Sequence, residues 1–101
     1  MPVHMTAQFT VRPESVEIVQ AAIAEFVDYI TRNEPSTLIY TSLQDAEDST
    51  RFFNFILFED EAAEEHHANS EAVKRFMNIL QPECIEPMTF TSYRLVASTE
   101  E

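Results

Sequence analysis

The chain has no glycine, no tryptophan, one cysteine, and six basic residues against eighteen acidic ones. Without glycine it cannot build the glycine-rich loop that cradles phosphates. Any backbone turn that needs a left-handed residue must use another residue type or be avoided. A single cysteine excludes an intramolecular disulfide, which accords with a reducing compartment, and a cytoplasmic location is expected. Cys84 stands beside Glu83 and Glu86. Negative neighbours disfavour a thiolate, so it reads as an inert thiol rather than a nucleophile.

The shortage of basic residues leaves a formal net charge of −12. No basic face exists to neutralise phosphates, so nucleic-acid binding and anionic membrane surfaces are not expected. The plain reading of the charge is solubility. The N-terminal MPVHMTAQFTV lacks a basic segment followed by a long apolar run, so no signal peptide is expected. No apolar run is long enough to span a bilayer.

What is present is a balanced globular composition. At 101 residues, one domain is expected over 1–101, with a core from about 3 to 97 and an acidic tail at 98–101. Val3, Met5, Ala7, Phe9 and Val11 alternate as in a strand. After Pro13 the period changes. Val16, Val19, Ile23, Phe26, Val27 and Ile30 form one apolar stripe of a helix. Asn33 is the expected left-handed cap, and Glu34-Pro35-Ser36 the stop. Thr37–Leu43 and Arg51–Phe58 read as strands around the polar turn 44–50. Asp60 is an expected cap for a second helix. That helix pauses at Asn69-Ser70 and resumes to Leu80, with Val73, Phe76, Met77 and Leu80 as its stripe. Met88–Ala97 is the expected fourth strand.

The order βαββαβ predicts an α+β, ferredoxin-like domain: a four-stranded antiparallel sheet with two helices on one face. The third strand adds a constraint. One parity holds Phe52, Asn54, Ile56 and Phe58, the other Phe53, Phe55 and Leu57. Both faces are apolar, and helices can cover only one. The second strand repeats this, with Leu38 and Tyr40 opposite Ile39 and Leu43. The expectation is a homodimer packed through its sheet faces. The competing reading is a monomer with a few exposed aromatics.

The order of elements, the segment Glu34-Pro35-Ser36-Thr37-Leu38-Ile39-Tyr40, and the spacing Ala63-xxx-His67-xx-Ser70 together resemble the antibiotic biosynthesis monooxygenase-like family, whose members are dimeric α+β barrels. The resemblance runs from about Val3 to Val96. It departs at Ser36, where the family usually has glycine. It implies a pocket between sheet and helices. Members include oxygenases of quinol-like aromatics that use neither metal nor flavin. Others degrade haem, isomerise small phosphorylated ketones, or have no assigned activity. The fold therefore transfers more firmly than the reaction.

His67 matches the family's helix histidine. An imidazole suits proton abstraction from a phenol or an enolisable carbon. Its plain alternative is a helix-end histidine bonded to Glu65 or Glu71. His66 is offset by about 100° and is expected at the surface. Adjacent histidines lack the i,i+4 spacing of a metal pair, so no metal is expected, and a zinc site that includes His4 is only a remote alternative. Tyr40 matches the family's strand tyrosine and could donate to a substrate oxygen or simply pack. Asn54 is a pocket donor if it faces the helices and an interface residue if it faces outward. Thr6 and Gln8 could line a cavity. Phe76 is expected as pocket wall. Haem degraders of the family have a first-strand asparagine and a tryptophan near the pocket. This chain has Thr6, Ala7 and Gln8 there and no tryptophan.

The resulting expectation is a cofactor-independent monooxygenase acting on a small aromatic or quinol-like molecule, with His67 catalytic and Tyr40, Asn54 and Phe76 binding substrate. The alternatives are a small-molecule-binding or structural dimer without turnover, or an isomerase using the same base. A pocket bounded by His67 and a second polar group favours an enzyme. A collapsed interior with His67 in solvent favours the others.

Overall fold

A computed structural model describes residues 1–100. Its elements follow the expected order: β1 (Val3–Thr10), α1 (Val16–Asn33), β2 (Thr37–Gln44), β3 (Arg51–Phe58), α2 (Glu61–Ala68), α3 (Glu71–Leu80) and β4 (Thr89–Tyr93). Short 3-10 turns at Pro13–Ser15 and Gln81–Glu83 lead into α1 and out of α3. The strands form one antiparallel sheet in the order β2-β3-β1-β4, which is the ferredoxin-like arrangement. No helix is long and apolar enough to cross a membrane among the described residues.

The second helical segment divides where the sequence indicates. Asp60 caps α2 by accepting from the Ala63 amide at 2.9 Å. Ser70 caps α3 by accepting from the Val73 amide at 3.1 Å. Both supply an oxygen to an otherwise unpaired helix-start amide.

Two boundaries differ from expectation. Asn33 is not a left-handed cap, and no described residue has positive φ. Asn33 stays helical, and its side chain donates to the Tyr29 carbonyl at 3.0 Å. Pro35 disfavours helical geometry in the residue before it, so Glu34 leaves the helix at φ −127° and ends α1. The fourth strand stops at Tyr93, not Ala97. Tyr93 pairs with His4, and β1 begins one residue earlier at Val3, so the ladder runs out of partner.

The β2–β3 turn is also built without glycine. The Asp45 carboxylate accepts from the amides of Glu47 and Asp48, at 2.8 and 3.1 Å, and Asp48 accepts from Thr50. Short carboxylate side chains thus add to the backbone bonds between Asp45 and Arg51 and between Arg51 and Asp48 that close the turn.

The core lies between the helices and one face of the sheet. Val19, Ile23, Phe26 and Ile30 of α1 are buried. They pack with Phe9, Phe52, Phe76 and Leu80 in one cluster. Full burial of such side chains contributes about 1.5–3 kcal/mol each. A second cluster holds Ile56, Phe58 and Ala63. Tyr40 packs against both clusters, so it sits where they meet. On the opposite face, Ile39, Leu43 and Phe53 are exposed, and Phe55 and Leu57 are half-buried.

Candidate functional site

The two clusters do not close on each other. Between them lies a cavity of about 460 Å³. The sheet supplies Met5, Ala7, Tyr40, Asn54, Ile56 and Phe58. Phe26 of α1 and Val73, Phe76 and Met77 of α3 form the opposite wall. From α2 come His67, Ala68 and three carboxylates, Glu61, Glu64 and Glu65. Glu61, Glu65, Ala68 and Phe90 are both lining and exposed, which marks the mouth.

All four expected site residues, His67, Tyr40, Asn54 and Phe76, line this one cavity. The face of Asn54, open in the sequence, is the helix side, where it is almost wholly buried. Phe76 stacks on Phe26 with centroids 4.3 Å apart, and both rings line the cavity. The His67 ring lies 5.1 Å from Phe58 and 6.2 Å from Tyr40, centroid to centroid.

The polar partners of these residues come from elsewhere in the chain. His67 Nδ1 lies 2.7 Å from Glu34 Oε1. The Glu34 side chain is 3% exposed and that of His67 13%. Thr37 Oγ1 donates to the same carboxylate oxygen at 2.9 Å, while Glu34 Oε2 has no partner. A carboxylate on Nδ1 fixes the ring orientation and leaves Nε2 as the basic nitrogen of the neutral ring. Sequence proximity points to Glu65 or Glu71 as the partner of His67. The turn between α1 and β2 instead brings Glu34, 33 residues away, into contact. The available signal is an acidic residue directly before proline at a helix end, where the proline fixes the backbone that carries the carboxylate.

A second chain of bonds runs through the sheet. Ser42 Oγ donates to Asn54 Oδ1 at 2.5 Å, and Asn54 Nδ2 donates to Tyr40 Oη at 3.1 Å. Tyr40 therefore accepts from the sheet and keeps its own hydrogen for the cavity. Burial pushes the Tyr40 phenol well above the ordinary range. The Asn54 bond opposes this, and the nearby Glu34 charge adds to it. Tyr40 is thus a neutral donor. Ser42 carries no distinguishing mark in an alternating strand, and sequence reasoning has no handle on it.

The spacing Ala63, His67, Ser70 has a local explanation. Ala63 is small enough to be buried against Ile56 and Phe58. Ser70, besides capping α3, donates to the His67 carbonyl at 2.9 Å. The helix break is thereby tied to the histidine.

Other candidates lie outside the cavity. His66 is exposed, as expected. Thr6 and Gln8 do not line it. They pair with Phe55 and Phe53 and share the outer face. Gln8 instead borders an open groove of about 750 Å³ with Asp45, Arg51 and Glu86, remote from His67. His4 stands beside Phe55 on the outer face, 6.2 Å between centroids. Cys84 donates to the Leu80 carbonyl at 3.5 Å. Burial, then Glu83, raises its thiol, with Arg12 opposing. No group of three or more His, Cys, Asp and Glu side chains that could hold a metal ion occurs among the described residues.

The antibiotic biosynthesis monooxygenase family model matches residues 2–79. The chain belongs to that family. A crystal structure of an antibiotic biosynthesis monooxygenase, 26% identical, superposes with a TM-score of 0.87 over 94% of this chain and 99% of the other. A Pseudomonas aeruginosa protein, also 26% identical, does so at 0.83 over 95% of each chain. A Mycobacterium tuberculosis protein reaches 0.88 at 18% identity, over 99% of this chain and 100% of the other, which bears on the fold alone. The sequence matches no curated protein.

Proposed function

We propose that the chain is a cofactor-independent monooxygenase of a small aromatic, quinol-like substrate. The observation that carries this is the buried His67–Glu34 pair set into the wall of an apolar cavity, with the Tyr40 hydroxyl beside it. His67 Nε2 takes a proton from the substrate hydroxyl or its enolisable carbon. Glu34 stabilises the imidazolium that results. Tyr40 donates to the oxygen on which negative charge develops, held in aim by Asn54 and Ser42. Phe26, Phe58 and Phe76 exclude water, which strengthens each of these interactions. The electron-rich anion then reacts with dioxygen. A ring CH2, as its enolate, becomes a carbonyl. One oxygen atom enters the product and the other leaves as water with the two hydrogens of that carbon. The substrate supplies the electrons, so the balance needs no further reductant.

Oxygen uptake with a panel of quinols and anthrone-type compounds tests this. Wild type consumes oxygen with at least one of them. His67→Ala lowers the rate by about 10²–10⁴-fold, the usual worth of a general base. Glu34→Gln lowers it by up to about 10⁴-fold, the loss seen when the carboxylate that holds a general-base histidine in its tautomer becomes an amide. No uptake by wild type on any compound rejects the oxygenase reading, and equal rates for His67→Ala remove the base from it.

The same proposal includes a homodimer joined through the outer sheet face. Its support is the row of Ile39, Leu43, Phe53, Phe55 and Leu57 on the side no helix covers. A contiguous apolar patch of this kind is uncommon on a soluble monomer.

A further inference from the structure

The geometry points to a specific charge class for the ligand: a hydroxylated aromatic that carries a protonated amine, with aromatic acids rejected. This rests on the reading above that the cavity holds an aromatic molecule.

The first observation is where the six basic residues lie. Arg12, Arg32, Lys74 and Arg75 are paired with Glu83, Asp28, Glu71 and Glu25. Arg51 borders the groove at the other end of the sheet. Arg94 follows the end of β4. None lines the cavity. An ionised ligand carboxylate would enter an apolar space with no Lys or Arg to pair with, at a large desolvation cost.

The second is the charge that does reach the cavity. Glu61, Glu64 and Glu65 line it, and none of their carboxylates has an ion-pair or hydrogen-bond partner among the described residues. Glu61 and Glu64 lie in the first turn of α2, where the helix dipole favours a negative charge. Glu65 lies beyond that turn and gains nothing comparable. Behind His67 stands Glu34, buried, with one oxygen unpartnered. Its charge adds to the burial that keeps the Tyr40 phenol protonated. A cavity of 460 Å³ is roughly 10 Å across, about one Debye length at physiological salt, so the rim charges are felt throughout it.

The third is the wall itself. Phe26, Phe58, Phe76 and Phe90 line it, and aromatic rings bury an apolar ring and attract a nearby cation through their quadrupoles. A hydroxyl at His67, a ring between the phenylalanines and an ammonium at the α2 rim satisfy all three parts at once.

The test compares three naphthols of one ring system by calorimetry and by ligand fluorescence: the parent, an aminomethyl derivative and a carboxylate derivative. At low salt the aminomethyl compound binds about tenfold more tightly than the parent, and the carboxylate about tenfold more weakly, the scale expected of a few partly exposed charges acting together. Added salt narrows the ratio. The variant Glu61→Gln/Glu64→Gln/Glu65→Gln brings cation and anion close to equal affinity. A control with the same change in net charge, Glu17→Gln/Glu47→Gln/Glu100→Gln, keeps the preference, which separates the rim from the overall −12. A carboxylate naphthol that binds as well as the parent, or a rim variant that keeps the full ratio, overturns the charge class alone. Failure of all three naphthols to bind overturns the aromatic cavity as well.

Discussion

Tyr40 shows how a single side chain is converted from a titratable group into a fixed donor. Burial costs its phenolate more than its phenol, and the Glu34 charge adds to that cost. The folded phenol therefore holds its proton above the ordinary value of about 10. A raised folded value means that its contribution to stability is fully present below pH 10 and is lost as pH rises beyond it. Wild type should accordingly lose stability relative to Tyr40→Phe above about pH 10, as measured by denaturant unfolding at stepped pH. The difference in phenolate absorbance between the two proteins should show no Tyr40 signal in the ordinary phenol range. An unfolding gap that stays constant across this pH range would mean that Tyr40 is not so perturbed. At the same scale, the sequence singles out His67, Tyr40 and Phe76 as pocket candidates and leaves the face of Asn54 open, which the structure turns into the same cavity. Glu34 and Ser42 escape it, because their roles depend on which distant side chains the sheet brings beside them.

At the scale of elements, the apolar periods suffice for order and kind. The change from period 2 to the 3,4 spacing after Pro13 separates β1 from α1, and the Asn69-Ser70 break is legible because serine is a strong cap. The ends are less so. The end of β4 is set by where β1 begins, a tertiary fact with no local mark. The end of α1 depends on Pro35 acting on Glu34 rather than on a left-handed asparagine. Ser70 has two duties at its junction: it caps α3 and holds the His67 carbonyl. Ser70→Ala should cost about 1 kcal/mol of stability by denaturant unfolding, while Ser70→Thr or Ser70→Asp should retain most of it. A loss below a few tenths of that amount would show that the break needs no cap.

For the whole molecule, the aromatic parity of β3 is legible in the sequence and remains the argument for two subunits. Phe53, Phe55 and Leu57 share the face opposite the helices with Ile39 and Leu43. Light scattering after size exclusion should give twice the chain mass of 11.6 kDa. Phe55→Glu should return it to a single chain, by placing a charge in the middle of the outer sheet face. A wild-type mass of one chain would overturn the dimer.

The eight residues of α2 hold both the histidine and the acidic rim, yet they are anchored from different directions. His67 is held from behind by Glu34 and below by Ser70, whereas the carboxylates of Glu61, Glu64 and Glu65 have no hydrogen-bond or ion-pair partner among the described residues. Mutation can therefore sample new rim charges while the histidine, its carboxylate and the strand tyrosine keep their places. Selection could redirect such a scaffold from one class of molecule to another through a handful of neighbouring codons, with inheritance of the reactive centre intact.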